Sequence, residues 1–182
     1  MRGLNETDVA EFSTTQLGAL SGTQIGSLTT TAFSALDTTQ VQALTTTQLR
    51  GVTTTQLSAL STTDVTELTS TQIGSLATTQ IGAFSTTNIN TLDVTQLGGL
   101  TSTQLGRLSA TNLSALDATQ ISSLTTTQIG GLAATQIAGL STTDVNEFAD
   151  TQLAAWSATQ IAALSVTNFS QLDATQVSGL ST

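Results

Sequence analysis

Large apolar side chains recur along this chain at alternating intervals of three and five residues, as in Leu17, Leu20, Ile25, Leu28, Phe33 and Leu36. Neither a continuous α-helix nor a strand with strict alternation has that spacing. It marks an octapeptide array, which has to be recognised before any other feature is read. From Asn5 to Leu180 the chain divides into 22 consecutive octads without an insertion or deletion. The fifth and eighth positions are apolar and the third is Thr in all 22. The fourth is Gln in 15 octads, Asp in three (Asp8, Asp64, Asp144), Asn in three (Asn88, Asn112, Asn168) and Ala once, at Ala32.

Each octad predicts one short helix with its own start and stop. The first position is Ser, Thr, Asp or Asn in 19 of 22 octads, and Gln usually follows three residues later. That is a capping box, in which the first side chain accepts from the backbone N–H of the fourth residue and the fourth side chain reaches back to the first N–H. Gln16, Gln40, Gln56, Gln120 and Gln128 are such capping residues. The apolar residue before the cap and the apolar fifth residue form a hydrophobic staple, as Leu36 and Val41 do around Asp37. Twelve of the 14 glycines stand at the sixth or seventh position, where the helix is expected to leave its right-handed conformation.

A single turn of helix is unstable alone, so the octads must stack. The predicted fold is all-α: one domain over residues 1–182, a solenoid of octads wound into a superhelical rod, with residues 1–12 as an acidic N-terminal cap. A β-solenoid is the alternative, because Thr-Thr-Thr-Gln-Leu also suits a strand. The Asp caps Asp37, Asp93, Asp117 and Asp173 are separated by seven, three and seven octads, and the octads with Asp at position four start seven and then ten octads apart. If like octads lie above one another, intervals of seven, three and ten are two, one and three turns of a coil that takes a non-integral number of octads, between three and four. A non-integral coil favours stacked helices over an in-register β-coil. The invariant Thr, present on every side of such a superhelix, is expected to form an internal ladder from one turn to the next. Thr15, Thr23, Thr39, Thr47, Thr55, Thr71, Thr79, Thr119 and Thr127 represent it. Residues Leu164, Phe169, Leu172, Val177 and Leu180, in an ordinary interior octad pattern, are expected to mediate end-to-end association between copies.

Composition narrows the chemistry. The chain has no His, Cys, Lys, Pro or Tyr, and three Arg against 12 acidic residues give a net charge of -9. Nucleic acid and anionic membranes are poor partners for such a surface. Without His or Lys to act as base, the Ser and Thr hydroxyls include no activated nucleophile, and neither an enzyme nor a cofactor is expected. No apolar run is long enough for membrane insertion, and the N-terminus lacks the apolar stretch of a signal peptide. Three acidic pairs, Asp8 with Glu11, Asp64 with Glu67 and Asp144 with Glu147, are the only candidate metal ligands. Two carboxylates are too few for calcium, and the pairs read as helix caps or a solvated face.

Octads such as Thr-Thr-Thr-Gln-Leu-Ser-Ala-Leu (53–60) resemble the TTxQ[IL]xxL tracts of very large bacterial secreted and cell-surface proteins, often adhesin-like. The resemblance spans residues 5–180 and implies an extracellular or surface location within a larger protein. The Gly-Gly-x-Gly-x-Asp calcium nonapeptides that accompany many such proteins are missing here. The expected function is a structural spacer, stalk or scaffold, with ice binding through exposed Thr arrays as the alternative.

Overall fold

A computed structural model describes residues 3–180. Among them it contains 22 α-helices and no strand, one helix of four to six residues in each octad. The fold is thus an all-α repeat solenoid, and the β-solenoid is set aside. Every helix begins at the second position of its octad, behind a first residue held in extended conformation, such as Ser21 at φ -72°, ψ 158°. The reciprocal pair is seen at α5 (Thr38–Ala43), where the Gln40 N–H donates to Asp37 Oδ1 at 2.8 Å and the Asp37 N–H donates to Gln40 Oε1 at 2.8 Å. At Ala77, Ala133 and Ala149 only the Gln half of the box forms, because Ala has no acceptor. Helices this short do not persist without packing, so the caps define where each begins and stacking decides that it forms.

The glycines have a different role from the one expected. No described residue has positive φ, and Gly26, the last-turn cap of α3 (Gly22–Ile25), lies at φ -65°, ψ -11°. Close approach is what requires glycine, and only at particular places. A Cβ on Gly51 would fall inside the backbone of Gly22, where α3 meets α6 (Thr46–Leu49). The same collision would set Gly131 against Ser102, where α13 (Ser102–Leu105) meets α16 (Thr126–Gly130). Gly18, Gly98 and Gly130 have open space at that point.

The chain forms two compact units, residues 1–92 and 93–182. In each, a helix packs on the one three octads before it, as α6 does on α3 and α16 on α13. Hydrogen bonds also reach back to the octad four places earlier, from Gln48 to Leu17 and Leu20 and from Gln128 to Leu97 and Leu100. A helix therefore lies over the gap between the third and fourth octads before it. One coil takes between three and four octads, as the spacing of like octads indicates. Position five is buried from Val9 through Leu153, and position eight from Leu28 through Trp156. Phe33, Phe84, Phe148 and Trp156 fill this core, with Phe148 and Trp156 edge to face at 5.3 Å between ring centroids.

Candidate functional site

The most elaborate polar construction in the molecule is the ladder made by the fourth residue of each octad. Its side-chain oxygen is already used in the capping box, which leaves the two amide hydrogens. In Gln48 they go to the carbonyl oxygens of Leu17 at 2.7 Å and Leu20 at 2.8 Å, the fifth and eighth positions of the octad four places back. Gln56 repeats this to Ile25 and Leu28, and Gln80 to Leu49 and Val52. In the second unit Gln128 bonds Leu97 and Leu100, Gln136 bonds Leu105 and Leu108, and Gln152 bonds Ile121 and Leu124. Asn, one methylene shorter, still takes part: Asn88 donates to the Leu60 carbonyl and Asn168 to that of Leu140. These acceptors lie at or just beyond helix C-termini, where carbonyls run out of intrahelical partners: the fifth-position carbonyl also accepts the eighth-position N–H, as Leu17 does from Leu20 at 3.0 Å, whereas the eighth-position carbonyl, such as that of Leu20, relies on the Gln. A buried carbonyl left unpaired is costly, so each of these glutamines both starts its own helix and finishes an earlier one.

Gln40, Gln56, Gln120 and Gln128 are buried, whereas Gln16 is exposed because no earlier octad lies beneath it among the described residues. The ladder of the invariant Thr has to be corrected. Thr15, Thr23, Thr39, Thr47, Thr55, Thr71, Thr79, Thr119 and Thr127 are all exposed, and among the described residues their hydroxyls reach no neighbouring coil. At 3.6 residues per turn, positions four, five and eight share an arc of about 100°, while position three points away from it. The rungs are glutamines.

The ladder has gaps where the fourth residue cannot donate, at Ala32 and at the acidic octads. In α8 (Thr62–Glu67) Asp64 Oδ2 accepts from the Ser61 N–H at 2.8 Å, and Glu67 Oε1 accepts from Thr38 Oγ1 at 2.9 Å. Glu67 Oε2 is buried without a hydrogen-bond partner beside a cavity of about 10 Å³ lined in part by Phe33, Leu36 and Asp64. In α18 (Thr142–Asn146) Asp144 Oδ2 accepts from the Ser141 N–H at 2.7 Å and from Ser114 Oγ at 2.8 Å. Burial pushes the Glu147 carboxyl above its ordinary range, and the carboxylates of Asp144 and Asp117 add to the shift. Asp8 caps α1 (Glu6–Ala10) through the Asn5 N–H, with Glu11 exposed beside it. The acidic pairs are therefore built into helix starts. Among the described residues no three acidic side chains gather as metal ligands.

Two open clefts also occur in the first unit. One, of about 470 Å³, is lined by Gly3, Leu4, Asn5, Glu6, Thr7, Thr29 and Thr31; the other, of about 440 Å³, has Thr30, Ser34, Ser61 and Asp64 among its walls.

The core ends before the last octads. Phe169 and Val177 are each 43% exposed, and Leu164, Leu172 and Leu180 are half-buried, because no later octad covers them among the described residues. Ser181 and Thr182, which follow them, lie outside the described residues.

Residues 9–46 match the model of the ALTTAQ repeat family. Read as residues, that name aligns with positions seven, eight and one to four of the octads, as in Ala35-Leu36-Asp37-Thr38-Thr39-Gln40. Gln16, Gln24 and Gln40 lie within the matched residues. No curated protein matches the chain.

Proposed function

We propose that this chain is a structural repeat module, a non-catalytic spacer, stalk or scaffold segment of a larger extracellular or surface protein. The inward-facing Gln ladder carries this reading. The side chains best equipped to recognise a ligand are spent on the array's own backbone, and the same assignment recurs octad after octad. What faces outward is a low-charge surface of Thr, Ser, Ala and Gly, with 8% charged residues in the whole chain. A functional site usually interrupts such uniformity with convergent polar groups in a pocket. The extracellular or surface setting rests on the resemblance of the octads to TTxQ[IL]xxL tracts.

One observation favours ice binding as a second reading: the third-position Thr is exposed in every octad. Each helix, however, lies over a gap between two earlier ones, so the hydroxyls of successive coils are offset rather than aligned in straight columns. A microlitre freezing assay separates the two readings. The spacer gives neither thermal hysteresis nor ice shaping, and clear hysteresis that is lost on replacing Thr47, Thr71 and Thr79 would establish the alternative.

A further inference from the structure

We propose that the cleft between α4 (Thr30–Ser34) and the start of α8 binds a small primary ammonium compound that also carries hydroxyl groups, of which an amino sugar is the simplest form. This goes beyond the spacer reading and leaves it intact. The uniformity of the array breaks at Asp64, where the fourth residue is a carboxylate with no amide to spend on the backbone.

The cleft has a volume of about 440 Å³ and is lined by Thr30, Thr31, Ser34, Ala59, Ser61 and Asp64. It belongs to the interior of the first unit: α4 packs on both α1 and α7 (Thr54–Ser58), and α8 on both α5 and α11 (Thr86–Thr91). Ten octads later the same places are built to close. A Cβ on Gly139 would stand 2.8 Å from the Ala110 Cβ, so α14 (Ala110–Ser114) and α17 (Ala134–Ala138) approach too closely to admit alanine there. Ser114 Oγ then donates to Asp144 Oδ2 at 2.8 Å and occupies the carboxylate. In the first unit Ala59 stands in the place of Gly139 and Thr30 in that of Ala110, and the added side-chain atoms hold α4 and α7 apart. Ser34, the counterpart of Ser114, makes no side-chain hydrogen bond among the described residues, and the Asp64 carboxylate accepts only from the Ser61 N–H.

What the cleft offers decides the ligand. Asp64 Oδ1 has no donor, and no cationic side chain among the described residues pairs with it. Behind it the buried Oε2 of Glu67 has no partner beside the small cavity that Asp64 also lines, so two carboxylates adjoin the site with no cation next to them. The chain has no Lys to compete for them, and Arg50 donates instead to the Ser75 carbonyl at 3.3 Å. An ammonium group supplies both the charge and the N–H donors, and its bond to a carboxylate is of the stronger, charge-assisted kind. The hydroxyls of Thr30, Ser34 and Ser61 each donate and accept, which suits a polyol, while the Ala59 and Thr methyls give an apolar wall for the C–H face of a ring. Two carboxylates without a third acidic ligand suit an organic cation better than calcium.

A nuclear magnetic resonance titration of the backbone amides with glucosamine, in mildly acidic buffer where its amine is protonated, tests this. Saturable shifts are expected at Thr30, Ser34, Ser61 and Asp64, with the amides around Asp144 unmoved as an internal control. Glucose, the same ring without the ammonium, should bind at least about tenfold more weakly, and Asp64→Asn should weaken glucosamine by a similar factor. Thr30→Ala with Ala59→Gly installs the pair found at Ala110 and Gly139 and should abolish binding by closing the cleft. Should that double variant lose helix by circular dichroism, Asp64→Asn still decides, because Asn fills the fourth position in three other octads. The absence of saturable shifts at these residues, glucose binding as tightly as glucosamine, or Asp64→Asn binding like the parent would each overturn the proposal. All of these leave the spacer reading standing, since that reading is tested by freezing.

Discussion

Replacing Gln136 isolates the ladder in the octad where the cap contributes least, because Ala133 offers no side-chain acceptor. The Gln136 amide makes three bonds, accepting from the Ala133 N–H at 2.7 Å and donating to the carbonyls of Leu105 at 2.9 Å and Leu108 at 2.8 Å. It is 3% exposed, so water cannot readily take over these partners. Gln136→Leu keeps the volume and leaves the Ala133 N–H and the Leu108 carbonyl unpaired, while the Leu105 carbonyl retains the Leu108 N–H at 3.2 Å. Two orphaned groups at about 1 to 3 kcal/mol each, offset by about 1 kcal/mol from added apolar burial, predict a net loss of about 1 to 5 kcal/mol. Gln136→Glu keeps the cap acceptor and presses a carboxylate against two carbonyls, which predicts a loss of about 3 to 5 kcal/mol at pH 7. Its carboxyl would titrate above the ordinary range in the folded chain. The native state then binds the extra proton as pH falls, and the deficit against the parent shrinks toward acid. Urea unfolding followed by circular dichroism at pH 7 and pH 4 measures both effects, with exposed Gln42→Leu as a control expected to stay within about 0.5 kcal/mol of the parent. A Gln136→Leu variant as stable as that control would refute the reasoning.

Gly51→Ala and Gly131→Ala should each destabilise by about 1 to 3 kcal/mol as paired helices are forced apart, whereas Gly18→Ala, in open space, should stabilise by about 0.5 to 1 kcal/mol; thermal unfolding of the three variants compares them. Glu147 has a raised folded pKa, so its charge costs stability at neutral pH and that cost fades as pH falls through the folded value. Glu147→Gln should therefore stabilise at pH 7 and matter little in acid, as unfolding across that range will register. Trp156 is 1% exposed and its Nε1 has no hydrogen-bond partner, so Trp156→Phe should cost little for the lost N–H and chiefly the effect of reduced volume, about 1 to 3 kcal/mol by chemical unfolding.

Much of this architecture can be read from the chain because the caps are local chemistry. Asp37 and Gln40 announce a helix start without reference to anything distant, and the three-then-five apolar spacing places positions five and eight in the core. The recurrence of Asp37, Asp93, Asp117 and Asp173 even indicates the non-integral coil. The rungs are harder to see, because invariance draws attention to Thr while the long-range role of Gln depends on which octad lies beneath it. Angular position is the available signal, since Gln40 shares the arc of Val41 and Leu44 and Thr39 does not. The glycines mislead for a related reason. Gly51 looks like a local helix terminator, yet its requirement comes from Gly22 in the octad three places back, and only stacking reveals the collision. Exposure of Phe169 likewise follows from what covers an octad, which its own composition does not encode.

Hydrogen exchange of the Gln side-chain amides by nuclear magnetic resonance tests the ladder most directly. If the Nε2 hydrogens of Gln48, Gln56, Gln128 and Gln136 bond carbonyls four octads back, they should exchange on the order of a thousandfold more slowly than those of exposed Gln42 and Gln171, with exposed Gln16 and Gln24 also exchanging fast. Uniformly fast exchange across all these side chains would contradict the ladder.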